Sequence, residues 1–159
     1  MVATPVRADQ PRVAVFDFEL LDSSLQGELE GLRKDEQARL TRATQQLREA
    51  LANSGRFQVL DIRPIADAAH NSNLQACGGC DVKLAEELGS DIAITGVVQK
   101  ISNLIINMNI YLRDVHSGKL ITVMSADMRG NTDESWTRTM NWLIRNRVLA
   151  PSYGSPQAQ

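Results

Sequence analysis

Residues 91–131 are DIAITGVVQKISNLIINMNIYLRDVHSGKLITVMSADMRGN, and this apolar block with polar edges decides the fold. Every second residue from Leu104 to Leu112 is apolar, whereas most residues between them are polar. A period of two is typical of a strand with one buried face. The alternation returns from Leu120 to Met128, and the link 114–119 has the polar and glycine content of a hairpin turn. The block therefore predicts three consecutive strands in a meander.

The remaining chain predicts helices and two further strands around that meander. The predicted elements are a strand at 12–20, a helix at 35–54, a strand at 57–62, a helical segment at 65–88 broken at CGGC, and a last helix at 133–149. Right-handed crossovers make the first three strands parallel, and the hairpin makes strand 4 antiparallel. We therefore predict a three-layer α/β fold of succession β-α-β-α-β-β-β-α, with a mixed five-stranded sheet in the order 2-1-3-4-5.

Composition indicates one globular domain. The 159 residues are 43% hydrophobic and 23% charged, values typical of a folded chain. We assign the domain to residues 12–150, between an arm at 1–11 and a tail at 151–159 that we expect to be disordered.

A net charge of −2 gives no reason to expect a nucleic-acid partner. No apolar run approaches the ~20 residues of a membrane span, and the first ten residues lack a signal region, which fits a cytosolic or a mature protein.

Cys77 and Cys80 are the sharpest chemical signal. Two cysteines separated by two residues can form a disulfide, supply half of a zinc site or act as a redox pair. Asp81 stands where attachment of a c-type haem requires histidine. Only His70 and His116 could add nitrogen ligands to a zinc ion. No other catalytic, metal-binding or cofactor-binding motif accompanies the pair, so we predict no catalytic residue, no metal and no cofactor.

Two stretches are candidates for binding a small ligand. The connection 21–34 is long for a link between a strand and a helix, and we predict a mobile acidic loop beside the switch point of the sheet. Its Asp22 and Glu28 are candidate ligand-binding residues, but Arg33 stands where a calcium loop requires a bidentate glutamate. Asn107 and Asn109, on the polar face of a meander strand, are the second pair of candidates.

The last helix predicts a surface for a protein partner. Its apolar residues Trp136, Met140, Leu143, Ile144 and Val148 share one broad face on a helical wheel. Trp142 and Leu149 fall together on the flank, with Arg145 beside them. Exposed tryptophan next to arginine is the composition that interface hot spots favour. Two interpretations follow with equal weight: either residues 151–153 fold back and cover Trp142, or Trp142, Arg145 and Leu149 bind a partner protein or a second copy.

Several phrases of the sequence resemble known families. RVAVFDFEL, LANSGRFQVLD, LAEELGSDIAITGVVQK and LRDVHSGKL resemble the layout of the TolB N-terminal domain and of the assembly domain of CsgG-type secretion proteins. CGGC, VQKISNLIINMNIYLRDVHSGK and RGNTDESW resemble an uncharacterised bacterial periplasmic family whose genes often lie near those of quinoprotein (PQQ) alcohol dehydrogenases. This resemblance implies a periplasmic location. In that oxidising compartment, a structural disulfide between Cys77 and Cys80 ranks above a redox pair and above zinc.

The leading hypothesis is a non-enzymatic periplasmic accessory or interaction module that supports a quinoprotein alcohol oxidation system. It implies a protein partner or a homodimer, without nucleic acid and without a membrane span. The first alternative is a thiol–disulfide redox protein that uses the CGGC pair. The second is a carrier of a small ligand, bound in the switch-point crevice beside residues 21–34.

Overall fold

The computed structural model describes residues 10–150. The strands are β1 (Arg12–Val15), β2 (Glu19–Asp22), β3 (Gln58–Val59), β4 (Ile92–Ser102), β5 (Ile105–Asp114) and β6 (Leu120–Met128). The helices are α1 (Leu25–Glu30), α2 (Lys34–Asn53), α3 (Arg63–His70), α4 (Cys80–Glu87) and α5 (Asp133–Leu143), the last continued by a π-helical turn at Ile144–Val148. The predicted tail, 151–159, and all but the end of the predicted arm lie outside the described residues.

The sheet confirms the predicted fold class. Its order is β3-β1-β4-β5-β6, which corresponds to the predicted 2-1-3-4-5. β1 is parallel to β3 and β4, whereas β5 is antiparallel to β4 and to β6. The predicted strand at 12–20 forms two strands, because the chain leaves the sheet after Val15 and returns as β2, which pairs with β4 further along. The sheet therefore has six strands.

The prediction of a loop at 21–34 is wrong. Leu21 and Asp22 belong to β2, and α1 begins at Leu25. Ser24 caps this helix, since its hydroxyl accepts a hydrogen bond from the Gly27 amide at 3.0 Å. A serine in this position supplies the acceptor that the first turn of a helix lacks.

Two hydrophobic clusters lie on opposite faces of the sheet. α2 and α5 cover the larger cluster, which includes the alternating residues of β5 from Ile106 to Leu112, as their period predicts. α3 and α4 cover the smaller cluster, which lies over β1 and the start of β4. Leu104 breaks the predicted pattern with 77% of its surface exposed, because it lies in the turn between β4 and β5.

Three helical boundaries and one strand differ from the prediction. The strand predicted at 57–62 contains only the two residues of β3. The first helical piece ends at His70, well before the CGGC break. Gly78 and Gly79 have φ angles of +71° and +107°, a conformation that glycine adopts without a steric penalty, and α4 begins directly afterwards. The last helix changes to π geometry at Ile144.

Candidate functional site

A buried ion pair joins the sheet to α2. Lys100 of β4 is only 1% exposed, and its Nζ lies 2.6 Å from Oε2 of Glu36, which is fully buried. The ammonium group also donates to Oε1 of Gln26 at 2.9 Å and lies 3.6 Å from Oδ2 of Asp22. Because water does not reach Glu36, Lys100 compensates a charge that would otherwise destabilise the fold.

Asn131 extends this network to α5. Its Nδ2 donates to Oε2 of Glu36 at 2.8 Å, and its Oδ1 accepts from Nε1 of Trp136 at 2.8 Å. Next to it, Thr132 caps α5, and Asp133 forms an ion pair of 2.8 Å with Arg39 of α2. Part of the RGNTDESW phrase therefore ties the beginning of α5 to α2 and to the buried lysine.

A pocket of about 470 Å³ opens at the carboxyl end of β1. It lies between α1, α2 and α3, and its volume is within the range of small-molecule sites. The position is the switch point of the sheet, because the chain leaves β1 towards β3 on one side and returns to β4 on the other. Most of the wall is apolar, with contributions from Leu32, Leu40, Ile62, Ala66, Ala69 and Leu74.

Three carboxylates and His70 contribute charge to this pocket. Asp17 pairs with Arg48 at 3.0 Å. Burial acts to raise the pKa of Asp22, but hydrogen bonds from Ser24 and the charge of Lys100 outweigh it, so this pKa lies below its usual value. Glu19 differs from both, because it has no ion pair with a lysine or arginine among the described residues.

The Oε1 atom of Glu19 is buried and has no hydrogen-bond partner among the described residues. Burial raises the pKa of Glu19, and the charge of His70 opposes that rise only in part. Oδ2 of Asp22 also lacks a hydrogen-bond partner among the described residues, but it lies 3.6 Å from Nζ of Lys100. Glu19 is therefore the carboxylate of the pocket that combines an unsatisfied oxygen with the lack of an ion pair to a lysine or arginine among the described residues.

The predicted ligand-binding residues do not come together. Asp22 lines the pocket, but Glu28 is exposed on α1 and is not part of the lining. Asn107 and Asn109 lie away from the pocket on β5. Asn107 donates to Oδ1 of Asp127 at 2.8 Å, and Asn109 accepts from the Ser125 hydroxyl at 2.6 Å. The polar groups of both asparagines are thus engaged within the sheet, and ligand binding there stays a prediction.

Cys77 and Cys80 are joined by a disulfide. The bond closes the turn that leads into α4, and both residues are partly buried. A disulfide sulfur is not a thiolate, so in this oxidised state neither cysteine can serve as a zinc ligand. Among residues 10–150, no group of three or more histidine, cysteine, aspartate or glutamate side chains is arranged to hold a metal.

Two of the three residues predicted on the flank of the last helix, Trp142 and Arg145, are exposed, whereas Leu149 is not. Trp142 is 44% exposed, and the guanidinium carbon of Arg147 lies 5.2 Å from its ring centroid. Arg145 is exposed. Leu149 is partly buried and packs against the larger core cluster. The π-helical turn explains this, because the Leu149 amide bonds to the carbonyl of Ile144, five residues earlier, and so rotates the end of the helix.

A second apolar surface escaped the sequence analysis. We call it the apolar rim. It consists of seven exposed side chains from segment 21–32 and from the β4–β5 hairpin at 101–105: Leu21, Leu25, Leu29, Leu32, Ile101, Leu104 and Ile105. The two segments adjoin, since Ser23 bonds to the Lys100 carbonyl and Asn103 donates to Gln26. The spacing of the four leucines, by four, four and three, is the signal that could have predicted a helix here.

Comparison with known proteins assigns the family. Residues 11–148 match the DUF3280 family, described as a protein of unknown function (DUF2380), and the chain belongs to it. No curated protein matches the sequence.

Solved structures share the fold at low sequence identity. The LpoB C-terminal domain from Salmonella enterica aligns with a TM-score of 0.55 and 16% identity, over 76% of this chain and 84% of that one. The lipoprotein GNA1162 from Neisseria meningitidis aligns at 0.53 and 15%, over 89% and 98%. The PelC dodecamer from Paraburkholderia phytofirmans aligns at 0.53 and 13%, over 90% and 93%. TolB from Acinetobacter baumannii reaches only 0.42, at 12% identity over 85% and 28%.

Within the described residues, no helix has the length and apolar character needed to cross a membrane.

Proposed function

We propose that this member of the DUF3280 family is a non-enzymatic accessory module of the bacterial cell envelope, and that it acts by binding another protein through the apolar rim. The observation that carries the proposal is the exposure of Leu25 and Leu29, at 71% and 76%. Helices of soluble domains normally bury their apolar side chains, whereas α1 buries none of its residues. Apolar surface concentrated in this way usually marks an interaction site.

The geometry of α1 specifies the chemistry of the partner. Leu25 and Leu29 are one helical turn apart and are both exposed, and Leu32 is exposed just beyond the end of α1. Apolar side chains at i and i+4 are part of the pattern by which a helix enters an apolar groove on another protein. Ile101 at the end of β4 and Leu104 in the β4–β5 turn lie at the same end of the sheet and would enlarge the contact. The partner therefore offers an apolar groove.

The comparisons support the envelope part of the proposal. One of the proteins that share the fold is a lipoprotein, and another is a dodecamer. These likenesses favour an envelope location and self-association as properties to test in this chain. The resemblance of CGGC and RGNTDESW to a family linked with quinoprotein genes supports a more specific proposal. In that form, the partner belongs to a quinoprotein alcohol oxidation system.

The experiment compares two double variants in capture of partners from a bacterial periplasmic extract. Leu25→Ser/Leu29→Ser alters the rim, and Leu120→Ser/Ile121→Ser makes equivalent changes at exposed positions of β6. We expect the rim variant to lose a protein that the wild type and the β6 variant retain, identified by mass spectrometry. Its melting temperature should remain within about 2 °C of wild type, because exposed substitutions rarely change stability by more than ~0.5 kcal/mol.

The captured protein must then bind purified wild-type chain in calorimetry, and the rim variant must bind it at least ~10-fold more weakly. Equal capture by the rim and β6 variants would contradict the proposed interface. A wild type that captures nothing above a matched blank resin would contradict the proposed function as well.

A further inference from the structure

We infer that the pocket at the carboxyl end of β1 binds a small organic cation with an apolar body, and that the ligand's ammonium group pairs with Glu19. This inference does not depend on the apolar rim or on a protein partner. It rests on the shape of the pocket, on the distribution of charge along its wall and on a carboxylate, Glu19, that has no ion pair to a lysine or arginine among the described residues.

The shape of the pocket suits an apolar body of modest size. Its volume of about 470 Å³ would hold a single aromatic ring with a short alkyl chain. Leu40 of α2, and Ile62 and Ala69 at and within α3, give the cavity an apolar lining. Gln37, Thr41 and Thr44 of α2 add polar but uncharged groups to it. Binding of an apolar body in this cavity is favourable, because it removes apolar surface from water.

The charge of the wall selects a cation. The lining includes the carboxylates of Asp17, Glu19 and Asp22, but no lysine or arginine. Asp17 and Asp22 already have cationic neighbours outside the lining, namely Arg48 and Lys100. Glu19 has no comparable ion pair among the described residues, and only the His70 ring stands nearby as a potential positive charge.

The Glu19 carboxylate is the anchoring point, because it lines the pocket and its buried oxygen has no hydrogen-bond partner among the described residues. Buried polar atoms in native proteins almost always have a hydrogen-bond partner, so a buried carboxylate oxygen without one requires an explanation. An ammonium group supplies both missing features, a donor and a compensating positive charge. Hydrogen bonds between charged groups are also stronger than neutral ones, and the apolar wall would hold the ligand chain in line with Glu19.

The test uses three probes that share one apolar body: phenylbutylamine, phenylbutanol and phenylbutyrate. Calorimetric titration of the full chain should show the amine binding most tightly and the carboxylate most weakly. Glu19→Gln should weaken the amine at least ~10-fold, the loss expected for a charged hydrogen bond, and should leave the alcohol unchanged. The matched control is Glu28→Gln, which removes a carboxylate from exposed α1 outside the pocket and should change neither affinity.

A second pair of variants tests the location. Ala66→Phe fills the pocket from α3 and should abolish binding of all three probes, whereas Ala68→Phe adds the same ring on the exposed side of that helix and should not. The inference is overturned if no probe binds, if the carboxylate binds best, or if the amine binds Glu19→Gln as tightly as wild type. It is also overturned if Ala66→Phe binds the amine with wild-type affinity.

Discussion

Replacing Lys100 with methionine should destabilise the protein by about 3–5 kcal/mol, the usual cost of leaving a buried charge without its partner. Methionine keeps most of the length of the side chain, so the change removes the charge rather than the packing. Among the described residues, it leaves the fully buried carboxylate of Glu36 with only the amide of Asn131 as a donor. It also removes the cation from Asp22 and the hydrogen bond to Gln26.

The structure makes the expected loss specific to this pair. Glu36 is entirely inaccessible and its Oε1 already lacks a partner among the described residues, so water cannot replace Lys100. In a domain of this size, each kcal/mol shifts the melting temperature by about 2–4 °C. We therefore expect a loss of roughly 10 °C, measured by calorimetry together with urea unfolding followed by circular dichroism.

A double variant separates charge from packing. Glu36→Gln/Lys100→Met removes both charges and retains an amide oxygen for Asn131, so it should recover more than half of the lost stability. The control is Lys119→Met, which makes the same substitution in the exposed β5–β6 turn and should cost less than ~0.5 kcal/mol. A Lys100→Met variant within ~1 kcal/mol of wild type, or a double variant less stable than the single one, would refute the reasoning.

Three further predictions concern single groups. Burial raises the folded-state pKa of Glu19 above the ordinary value of 4.5. The contribution of Glu19 to the free energy of unfolding is therefore present below that value and is lost as the pH rises through the folded pKa. Glu19→Gln should therefore gain stability relative to wild type between pH 4 and pH 7, and a constant difference in urea unfolding would contradict this. Cys77→Ser/Cys80→Ser should lower the free energy of unfolding by ~2 kcal/mol or less, because the disulfide closes a very short loop. Two alkylatable thiols in the oxidised native protein, detected by intact mass, would disprove the bond. Trp142→Ala should weaken self-association in sedimentation velocity. It should lower the melting temperature by less than ~2 °C, since the ring is nearly half exposed. A loss of several degrees with unchanged association would show that the ring is part of the core.

The part of the fold that the sequence predicts is the part governed by local periodicity. Ile106, Met108 and Ile110 are buried because alternate residues of a strand face the same side. The sheet order follows from the handedness of the crossovers and the brevity of the hairpin. Neither inference requires knowledge of contacts between distant residues.

The predicted loop at 21–34 is wrong because its glycines and charged residues are typical of a loop, although the segment contains helix α1. Residues 21–34 contain Gly27, Gly31 and several charged residues, a composition that resembles a mobile loop. The structure shows that Gly27 has a packing role instead, because a Cβ atom there would meet the carboxylate carbon of Asp22 at 2.4 Å. Such a close approach depends on the fold of β2 against α1 and has no counterpart in the local pattern.

The buried network and the pocket were beyond sequence reasoning for a related reason. Lys100 and Glu36 are 64 residues apart, and nothing in either neighbourhood marks a lysine or a glutamate as buried. Glu19 lines a cavity between three helices, although nothing in the strand predicted at 12–20 marks this residue as part of a pocket. Composition shows which charges exist, whereas only the packing of distant elements shows which of them lose their water.

The network also explains how α1 remains in place while its leucines are exposed. A helix with no buried residue lacks the apolar contacts that normally hold an element to a domain. α1 is attached by polar contacts instead: Asp22 accepts from the amide of Ser24 at 2.9 Å, Ser24 caps the helix, and Gln26 accepts from Lys100. Lys100 therefore serves two purposes, since it compensates Glu36 within the core and fixes the helix that presents the apolar rim. Because Gly27 and Gly31 of the same segment line the pocket, the position of α1 also sets one wall of the cavity. The Lys100→Met variant should thus disturb the rim and the pocket together, whereas Glu19→Gln should affect the pocket alone.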